Sequence, residues 1–309
     1  MLSTQSPTCP APLLAQAQAL PTMTTAVVNA GTELAMDSAM QAQQAGIIYP
    51  ILVGDVETIG KLAKAMAWQL NADQLVHADG EQAAAEAAVA LVHQQRAQML
   101  MKGHVHSDTL LRAVLNKEKG LRTGVRLSHV FHMTVPHSDK ALCITDAVIN
   151  VAPDLTTQQH ILANGVKLMH ALGYAKPNVA LLSAAEVPTP AMPSSMLAKE
   201  LLANVDGQAL GAQVFGPVAF DGAVSAEAAK VKGITAAGAG KADMLLVPNI
   251  ETGNAIFKQL VYFNSATAAG LILGAKVPII LTSRADPAVA RLASAALGVV
   301  YAKWLQDQA

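Results

Sequence analysis

The sequence predicts an α/β protein made of two doubly wound domains. Its 309 residues exceed the size of one typical domain, roughly 100 to 200 residues. Hydrophobic residues make up 52% of the chain and aromatic residues only 4%, a composition typical of α/β enzymes rich in Ala, Val, Leu and Ile. Helical and strand patterns also alternate along the chain, which favours a mainly parallel sheet flanked by helices, with ligands at the carboxyl ends of the strands.

The alternation begins near the N-terminus. A β-branched run at 24–30 predicts a strand, and an Ala/Met/Gln-rich segment at 33–46 predicts a helix that ends at a glycine. The apolar run at 47–54 predicts a buried strand that stops at a Gly-Asp turn. Residues 82–100 are then expected to form one long helix.

The second half of the chain repeats the alternation. The predicted helices cover 158–173 and 194–204, and the predicted strands cover 129–135, 141–148, 178–184, 242–248 and 276–283. Between the halves, the basic segment 116–128 contains two glycines, and we expect it to cross from one domain to the other.

Charge and cysteine content exclude several classes of partner. A net charge of −1 gives no basic surface for a nucleic acid. The two cysteines, Cys9 and Cys143, are too few for a disulfide framework and indicate a reducing compartment. The first twenty residues lack a basic start, and no uninterrupted apolar run reaches ~18 residues. We therefore expect a cytoplasmic protein that neither spans nor binds a membrane.

The segment IILTSRAD at 279–286 is a first candidate site. An apolar run is followed by Ser283, Arg284 and Asp286, and then by a proline that opens a predicted helix. Hydroxyls, backbone N–H groups and a guanidinium at the end of a strand suit a phosphate group. The alternative is a helix cap beside a surface arginine.

A second polar turn lies at 101–118. Ser107 and Thr109 are predicted to precede a helix that carries Arg112, so this turn could also bind an anion. Two histidines, His104 and His106, lack a nearby third ligand, and we therefore predict loop residues and no metal site.

A third candidate is the segment VPNIETGN at 247–254. The glycine-rich stretch before it matches neither a P-loop nor a dinucleotide-binding turn, because it precedes its strand instead of following it. After the strand, polar side chains can line a cleft: Asn249, Thr252, Gly253 and Asn254. The alternative is an ordinary turn from strand to helix.

Five long segments together resemble the phosphate acetyltransferase/phosphate butyryltransferase family, and the butyryl branch more closely. They are KGHVHSDTLLRAVLNKEKGLRTG, AAEVPTPAMPSS, GPVAFDGAVSAEAAKVKGI, GKADMLLVPNIETGNAIFKQLVYF and GAKVPIILTSRAD. The resemblance extends from about residue 24 through nearly the whole chain, with the segments in the family's order.

The resemblance implies a fold and a reaction. The fold has two doubly wound α/β domains with an interdomain active-site cleft, as in isocitrate dehydrogenase: 1–125 plus 271–309, and 126–270. The reaction is reversible transfer of a short acyl group between coenzyme A and inorganic phosphate. Coenzyme A is then a substrate, no tightly bound cofactor is expected, and the protein is expected to be a homodimer or a larger homo-oligomer.

The resemblance also implies roles for the candidate residues. Ser283 and Arg284 match the family's Ser-Arg pair at the reacting centre, and Arg112 matches the arginine after its Ser/Thr-rich turn. Two positions depart from the acetyl branch: Ala290 replaces an aspartate taken as the general base, and an arginine is missing near residues 261–262. Asp286 is the candidate replacement for that base.

Two other functions stay open at this level. A dehydrogenase could share the two-domain architecture, although the sequence has no nucleotide fingerprint. A non-catalytic sensor of acyl phosphate or coenzyme A could keep the pocket and lose the base, as the alanine at 290 allows. The sequence does not define the acyl chain length, because the pocket walls meet only in the fold.

Overall fold

The structure is a computed structural model that describes residues 2–136, 138, 140–283 and 286–308. Its contacts divide into two compact units. We call Thr8–Val125 with Ala269–Ala309 the terminal unit, and Met1–Pro7 with Arg126–Ala268 the central unit. That each unit is a domain, with the predicted boundaries of 1–125 plus 271–309 and 126–270, stays a proposal.

The N-terminal part of the terminal unit alternates strands and helices. Its elements are α1 (Ala11–Gln18), β1 (Met23–Val28), α2 (Glu33–Gln44), β2 (Ile48–Gly54), α3 (Val56–Ala65), a 3₁₀ turn (Ala72–Gln74), β3 (Leu75–His77), α4 (Gly80–His93), β4 (Met99–Lys102) and α5 (Ser107–Val114). Side-chain caps fix two helix starts: Thr32 accepts an N–H of α2, and Asp55 accepts two N–H groups of α3.

The central unit follows. Its elements are β5 (Ser128–Thr134), β6 (Leu142–Thr145), α6 (Leu155–Ala171), β7 (Asn178–Leu182), α7 (Pro193–Ala203), β8 (Gln213–Val218), α8 (Phe220–Val224), α9 (Ala226–Val231), β9 (Met244–Leu246) and α10 (Ile250–Asn264). The strands lie in the order β5-β6-β9-β7-β8. Only the β5–β6 pairing in this described series is antiparallel.

The chain then returns to the terminal unit through β10 (Thr267–Leu273), β11 (Ile279–Ile280) and α11 (Ala288–Asp307). The strand order here is β3-β2-β1-β4-β11-β10. All of these described pairings are parallel except β10–β11. Helices alternate with mainly parallel strands in both units, which confirms the predicted α/β fold class.

Helix α11 forms much of the core of the terminal unit. By length and composition alone it could cross a membrane, but 61% of its most apolar window is buried inside the protein. It contacts α1, α2, β4 and β11. We therefore interpret α11 as a core helix.

Two sequence predictions need correction. Residues 82–100 do not form one helix: α4 ends at His93, Gln95 adopts a left-handed φ of 58°, and the chain re-enters the sheet as β4. The strand predicted at 276–283 is only two residues long. Residues 2–7 contact the central unit: the Ser3 N–H donates to the Tyr262 carbonyl, and the Ser265 hydroxyl donates to the Gln5 carbonyl.

Candidate active site

The terminal unit has a topological switch point between β1 and β4. From β1 the chain continues through α2 to β2 on one side of β1, whereas β4 lies on its other side. In open α/β sheets, ligands bind outside the carboxyl ends of the strands at such a reversal. A cavity of about 600 Å³ lies in this unit, lined by the first turns of α2, residues 102–104 at the end of β4, Thr282 and Ser283 after β11, and Arg291 of α11.

Close backbone contact fixes the junction between β1 and β4. The Gly103 N–H donates to the Val28 carbonyl at 3.0 Å, and the His104 N–H donates to the Asn29 carbonyl at 2.9 Å. A Cβ on Gly103 would lie 2.5 Å from the Val28 oxygen, so no larger residue fits without movement. This contact sets the backbone that presents Lys102 and His104 to the cavity.

A closed turn follows β11 on the same side. The Ser283 N–H donates to the Asp286 carboxylate at 2.7 Å, and the Asp286 N–H donates to the Ser283 carbonyl at 3.1 Å. Burial raises the pKa of Asp286, and the bond from Ser283 opposes that shift. The backbone N–H of Ser283 is therefore bonded within the turn, and the part of this residue as an oxyanion donor stays a prediction. The adjacent Arg284 lies outside the described residues.

Asp286 itself is not among the described residues that line the cavity. The sequence made it a candidate base, but its carboxylate is bonded to the turn that carries Ser283. Its role as a base stays a prediction, and the contact adds a second possible role, positioning of the turn that carries Ser283. Ala290, the residue that the sequence comparison with the acetyl branch singled out, is buried in α11 and only 3% exposed.

The second predicted turn is helical. Ser107 and Thr109 do not precede α5 but form its first turn, and His106 is the N-cap residue. Neither of them, nor the exposed Arg112, is among the described residues that line the cavity. Their part in substrate binding stays a proposal.

The two histidines of this segment differ in surroundings. His104 lines the cavity, whereas the His106 Nδ1 lies 2.8 Å from the Glu81 carboxylate. The backbone N–H of His106 also donates to Glu81, and these contacts lower the pKa of that carboxyl. Among the described residues, no group of three or more His, Cys, Asp or Glu side chains could hold a metal ion.

The third predicted segment has clear structural roles within the central unit. Asn249 is the N-cap of α10, and its side-chain oxygen accepts the N–H of Thr252 at 2.9 Å and the hydroxyl of Thr252 at 2.7 Å. A Cβ on Gly253 would lie 2.8 Å from the Cβ of Ala147, so close packing requires glycine there. Asn254 also reaches the Ala147 carbonyl, at 3.5 Å.

These contacts correct one expectation and leave another untested. Thr252, Gly253 and Asn254 lie inside α10 and not in a loop before it. The alternative of a strand-to-helix turn therefore explains the polarity of Asn249 and Thr252. That the segment also contacts substrate stays a proposal.

Sequence reasoning missed two cations of the cavity, Lys102 and Arg291. The helix predicted at 82–100 overlaps the first half of β4, so the sequence did not show that Lys102 ends a strand. Arg291 lies one turn into α11 and has no motif around it. The run after β1, which ends in Thr32 and Glu33, carries a helix-start signal that could have located the α2 wall.

Comparisons with known proteins agree on one family. The family model described as phosphate acetyl/butaryl transferase matches residues 81–299. The chain is 43% identical over 291 residues to a phosphate acetyltransferase of Rhizobium meliloti, covering 94% of this chain and 92% of that protein. It is 42% identical over 278 residues to a phosphate butyryltransferase of Clostridium acetobutylicum, covering 90% and 92%.

A solved structure gives the same result. The crystal structure of a branched-chain phosphotransacylase from Enterococcus faecalis is 34% identical, with a TM-score of 0.79, and the match covers 91% of this chain and 99% of that one. Relatives named for acetyl and for butyryl transfer are almost equally similar to this chain, at 43% and 42% identity. Overall identity therefore does not distinguish the acyl groups.

Proposed function

The chain belongs to the phosphate acetyl/butyryltransferase family, and from this we propose that it is a phosphate acyltransferase. It moves a short acyl group between coenzyme A and inorganic phosphate, so that acyl-coenzyme A and phosphate give acyl phosphate and free coenzyme A. The observation that carries this proposal is the similarity to a phosphate acetyltransferase over 94% of the chain.

The reaction is a direct acyl transfer between phosphate and the thiol of coenzyme A. A phosphate oxygen attacks the thioester carbonyl, the C–S bond breaks, and the thiolate leaves and takes up a proton. In reverse, the thiol loses its proton and attacks the carbonyl of the acyl phosphate, the C–O bond breaks, and inorganic phosphate leaves. A thiol pKa near ~8.5 means that modest help from a base or a positive field is enough. No covalent acyl-enzyme is required.

We assign the reacting centre to the turn after β11. Ser283 is proposed to donate to the oxyanion, and the Arg284 guanidinium is the predicted partner of the phosphate. Support comes from the position of Ser283 on the cavity wall and from the Asp286 carboxylate that closes its turn. A donor held before the reaction stabilises the transition state without reorganising.

The remaining predicted binding residues come from two helix starts. Ser107, Thr109 and Arg112 on α5 are proposed to bind phosphoryl oxygens of a substrate. On α10, the proposed set consists of Asn249, Thr252, Gly253 and Asn254. Their support is the resemblance to the family: Arg112 matches the arginine after its Ser/Thr-rich turn, and the segment on α10 matches its polar turn.

Several further properties are proposed on the same basis. Coenzyme A acts as a substrate, and no tightly bound cofactor takes part. The protein works in the cytoplasm as a homodimer or larger homo-oligomer. Exposed apolar side chains on the central unit, such as Tyr262 and Phe263, would suit contact between copies of the chain.

A thiol-release assay tests the proposed function. Purified protein is mixed with butyryl-coenzyme A, and free thiol is followed with a chromogenic reagent, with and without inorganic phosphate. We expect release only with phosphate. A folded protein that binds acyl-coenzyme A but releases no thiol would instead be a sensor. Reduction of a nicotinamide cofactor by the same protein would indicate a dehydrogenase.

A further inference from the structure

The guanidinium of Arg291 lines the cavity of the terminal unit and is incompletely satisfied. Only 10% of its side chain is exposed, so it is nine-tenths buried. Its Nη1 donates to the Asp286 carbonyl, but its Nε has no hydrogen-bond partner among the residues that the structure describes. A buried donor without an acceptor is rare in native proteins and requires an explanation.

An ion pair with Asp37 does not remove this deficit. The Nη2 of Arg291 lies 3.6 Å from the Asp37 Oδ2, beyond hydrogen-bonding distance. That same oxygen accepts the side-chain amide of Gln41 at 2.8 Å. Asp37 is therefore oriented by its own helix, and the guanidinium keeps both positive charge and at least one donor for another acceptor.

The position of Arg291 on α11 is firmly fixed. The preceding residue, Ala290, is only 3% exposed. The backbone carbonyl of Ala290 accepts the hydroxyl of Ser294, which is fully buried. The Ser294 oxygen in turn accepts the Gly270 N–H of β10 at 2.9 Å. A cation held this way presents its donors without a large loss of conformational freedom on binding.

The surroundings restrict what ligand fits. Lys102 lines the same cavity as Arg291, and so do the carboxylates of Glu33 and Asp37. The two carboxylates repel an anion that enters the cavity, so direct, charge-assisted contact with the guanidinium is what would hold one there. A planar guanidinium matches the spacing of phosphoryl oxygens and can donate two parallel hydrogen bonds to them.

We propose that Arg291 is a substrate-binding residue that takes a phosphoryl group in this cavity through its unsatisfied guanidinium. The phosphoryl group belongs either to inorganic phosphate or acyl phosphate, or to coenzyme A. The choice of a phosphoryl ligand rests on the proposed function, whereas the need for an acceptor at Arg291 rests on the geometry alone.

Equilibrium binding tests this without relying on turnover. Inorganic phosphate, coenzyme A and 3′-dephospho-coenzyme A are titrated calorimetrically into the wild type and into Arg291→Gln, Arg291→Lys and Asp37→Asn. We expect Arg291→Gln to weaken the binding of phosphate or of coenzyme A at least tenfold, and Arg291→Lys to restore part of that loss. Asp37→Asn should tighten the same ligand, because it removes a competing negative charge.

The ligands distinguish the sources of the phosphoryl group. Weaker phosphate binding in Arg291→Gln assigns the residue to the transferred phosphate. Weaker coenzyme A binding assigns it to the nucleotide, and to the 3′-phosphate if 3′-dephospho-coenzyme A binds equally to both proteins. Either result supports the proposal.

Two outcomes would overturn it. One is equal affinity of wild type and Arg291→Gln for all three ligands. The other is a parallel loss of melting temperature and of affinity in Arg291→Gln and Asp37→Asn, which would show that Arg291 only joins α11 to α2. If the variants behave as expected but no thiol is released in the activity assay, the proposed function fails and the anion site stands.

Discussion

The backbone N–H of Ser283 and the carboxylate of Asp286 are joined by a 2.7 Å hydrogen bond, and the Asp286 N–H returns to the Ser283 carbonyl at 3.1 Å. This reciprocal pair closes the turn that carries the proposed reacting serine. It also occupies the carboxylate that sequence reasoning made a candidate base. Asp286 can therefore act in positioning or in proton transfer. The two roles predict different results for the same substitutions.

Asp286→Asn keeps an acceptor for the Ser283 N–H, whereas Asp286→Ala removes it. If Asp286 positions the turn, the asparagine variant keeps kcat within about threefold, because a lost general base would cost roughly 100-fold or more. The alanine variant leaves a donor unpaired and should lose about 1 kcal/mol of unfolding free energy together with activity. Steady-state kinetics and urea unfolding of both variants decide this. An inactive but stable asparagine variant would restore the base assignment.

Gly103→Ala should destabilise the terminal unit. The added methyl would lie 2.5 Å from the Val28 carbonyl oxygen, and relief of that overlap by backbone movement costs about 1 to 3 kcal/mol. Because Gly103 lines the cavity, activity should fall as well. Thermal unfolding measures the first effect.

Gly60→Ala is the matched control for that variant. Gly60 lies inside α3, and no atom beyond its own stretch of helix lies within 4 Å of the position where its Cβ would stand. Alanine there should raise the unfolding free energy by about 0.5 to 1 kcal/mol, since it restricts the unfolded chain. Equal destabilisation by both substitutions would show that the contact of Gly103 with β1 is unimportant.

Two buried histidines predict sensitivity to acid. Burial lowers the pKa of His129 to about 3 and that of His132 to about 4. In the unfolded chain a histidine titrates near ~6.5, so below that pH the unfolded state binds protons that the folded state does not. The free energy of unfolding should therefore fall as the pH is lowered from ~6.5 towards 4, by about 1.4 kcal/mol per pH unit for each histidine.

Urea unfolding as a function of pH measures this dependence. His129→Phe removes one of the two groups and should reduce the slope by about half. A slope that is the same in the His129 variant and in the wild type would contradict the assignment.

The butyryl-like segments predict an acyl preference. If the pocket is apolar, each buried methylene contributes about 0.8 kcal/mol, so two favour butyryl over acetyl by roughly tenfold in kcat/KM. Rates with acetyl-, propionyl- and butyryl-coenzyme A at one phosphate concentration measure it. A clear preference for acetyl would reject the butyryl assignment and leave acyl transfer intact.

The sequence predicted most of the strands and the turn after β11, because apolar runs bounded by Gly, Pro or polar residues identify buried strands. It failed at β4, where Met99 and Leu100 are good helix formers and the break is a non-glycine residue, Gln95, with a positive φ. It also could not find Arg291, since only the packing of α11 against α2 and the sheet brings that side chain to the cavity.

Phosphorus NMR of a mixture of acyl-coenzyme A, inorganic phosphate and the protein tests the central proposal most directly, with free thiol measured in the same samples. We expect an acyl phosphate signal that grows in a 1:1 ratio with free thiol and that decreases again when coenzyme A is added in excess. Thiol release at the same rate without phosphate, with free carboxylic acid as the product, would show a hydrolase and contradict the account.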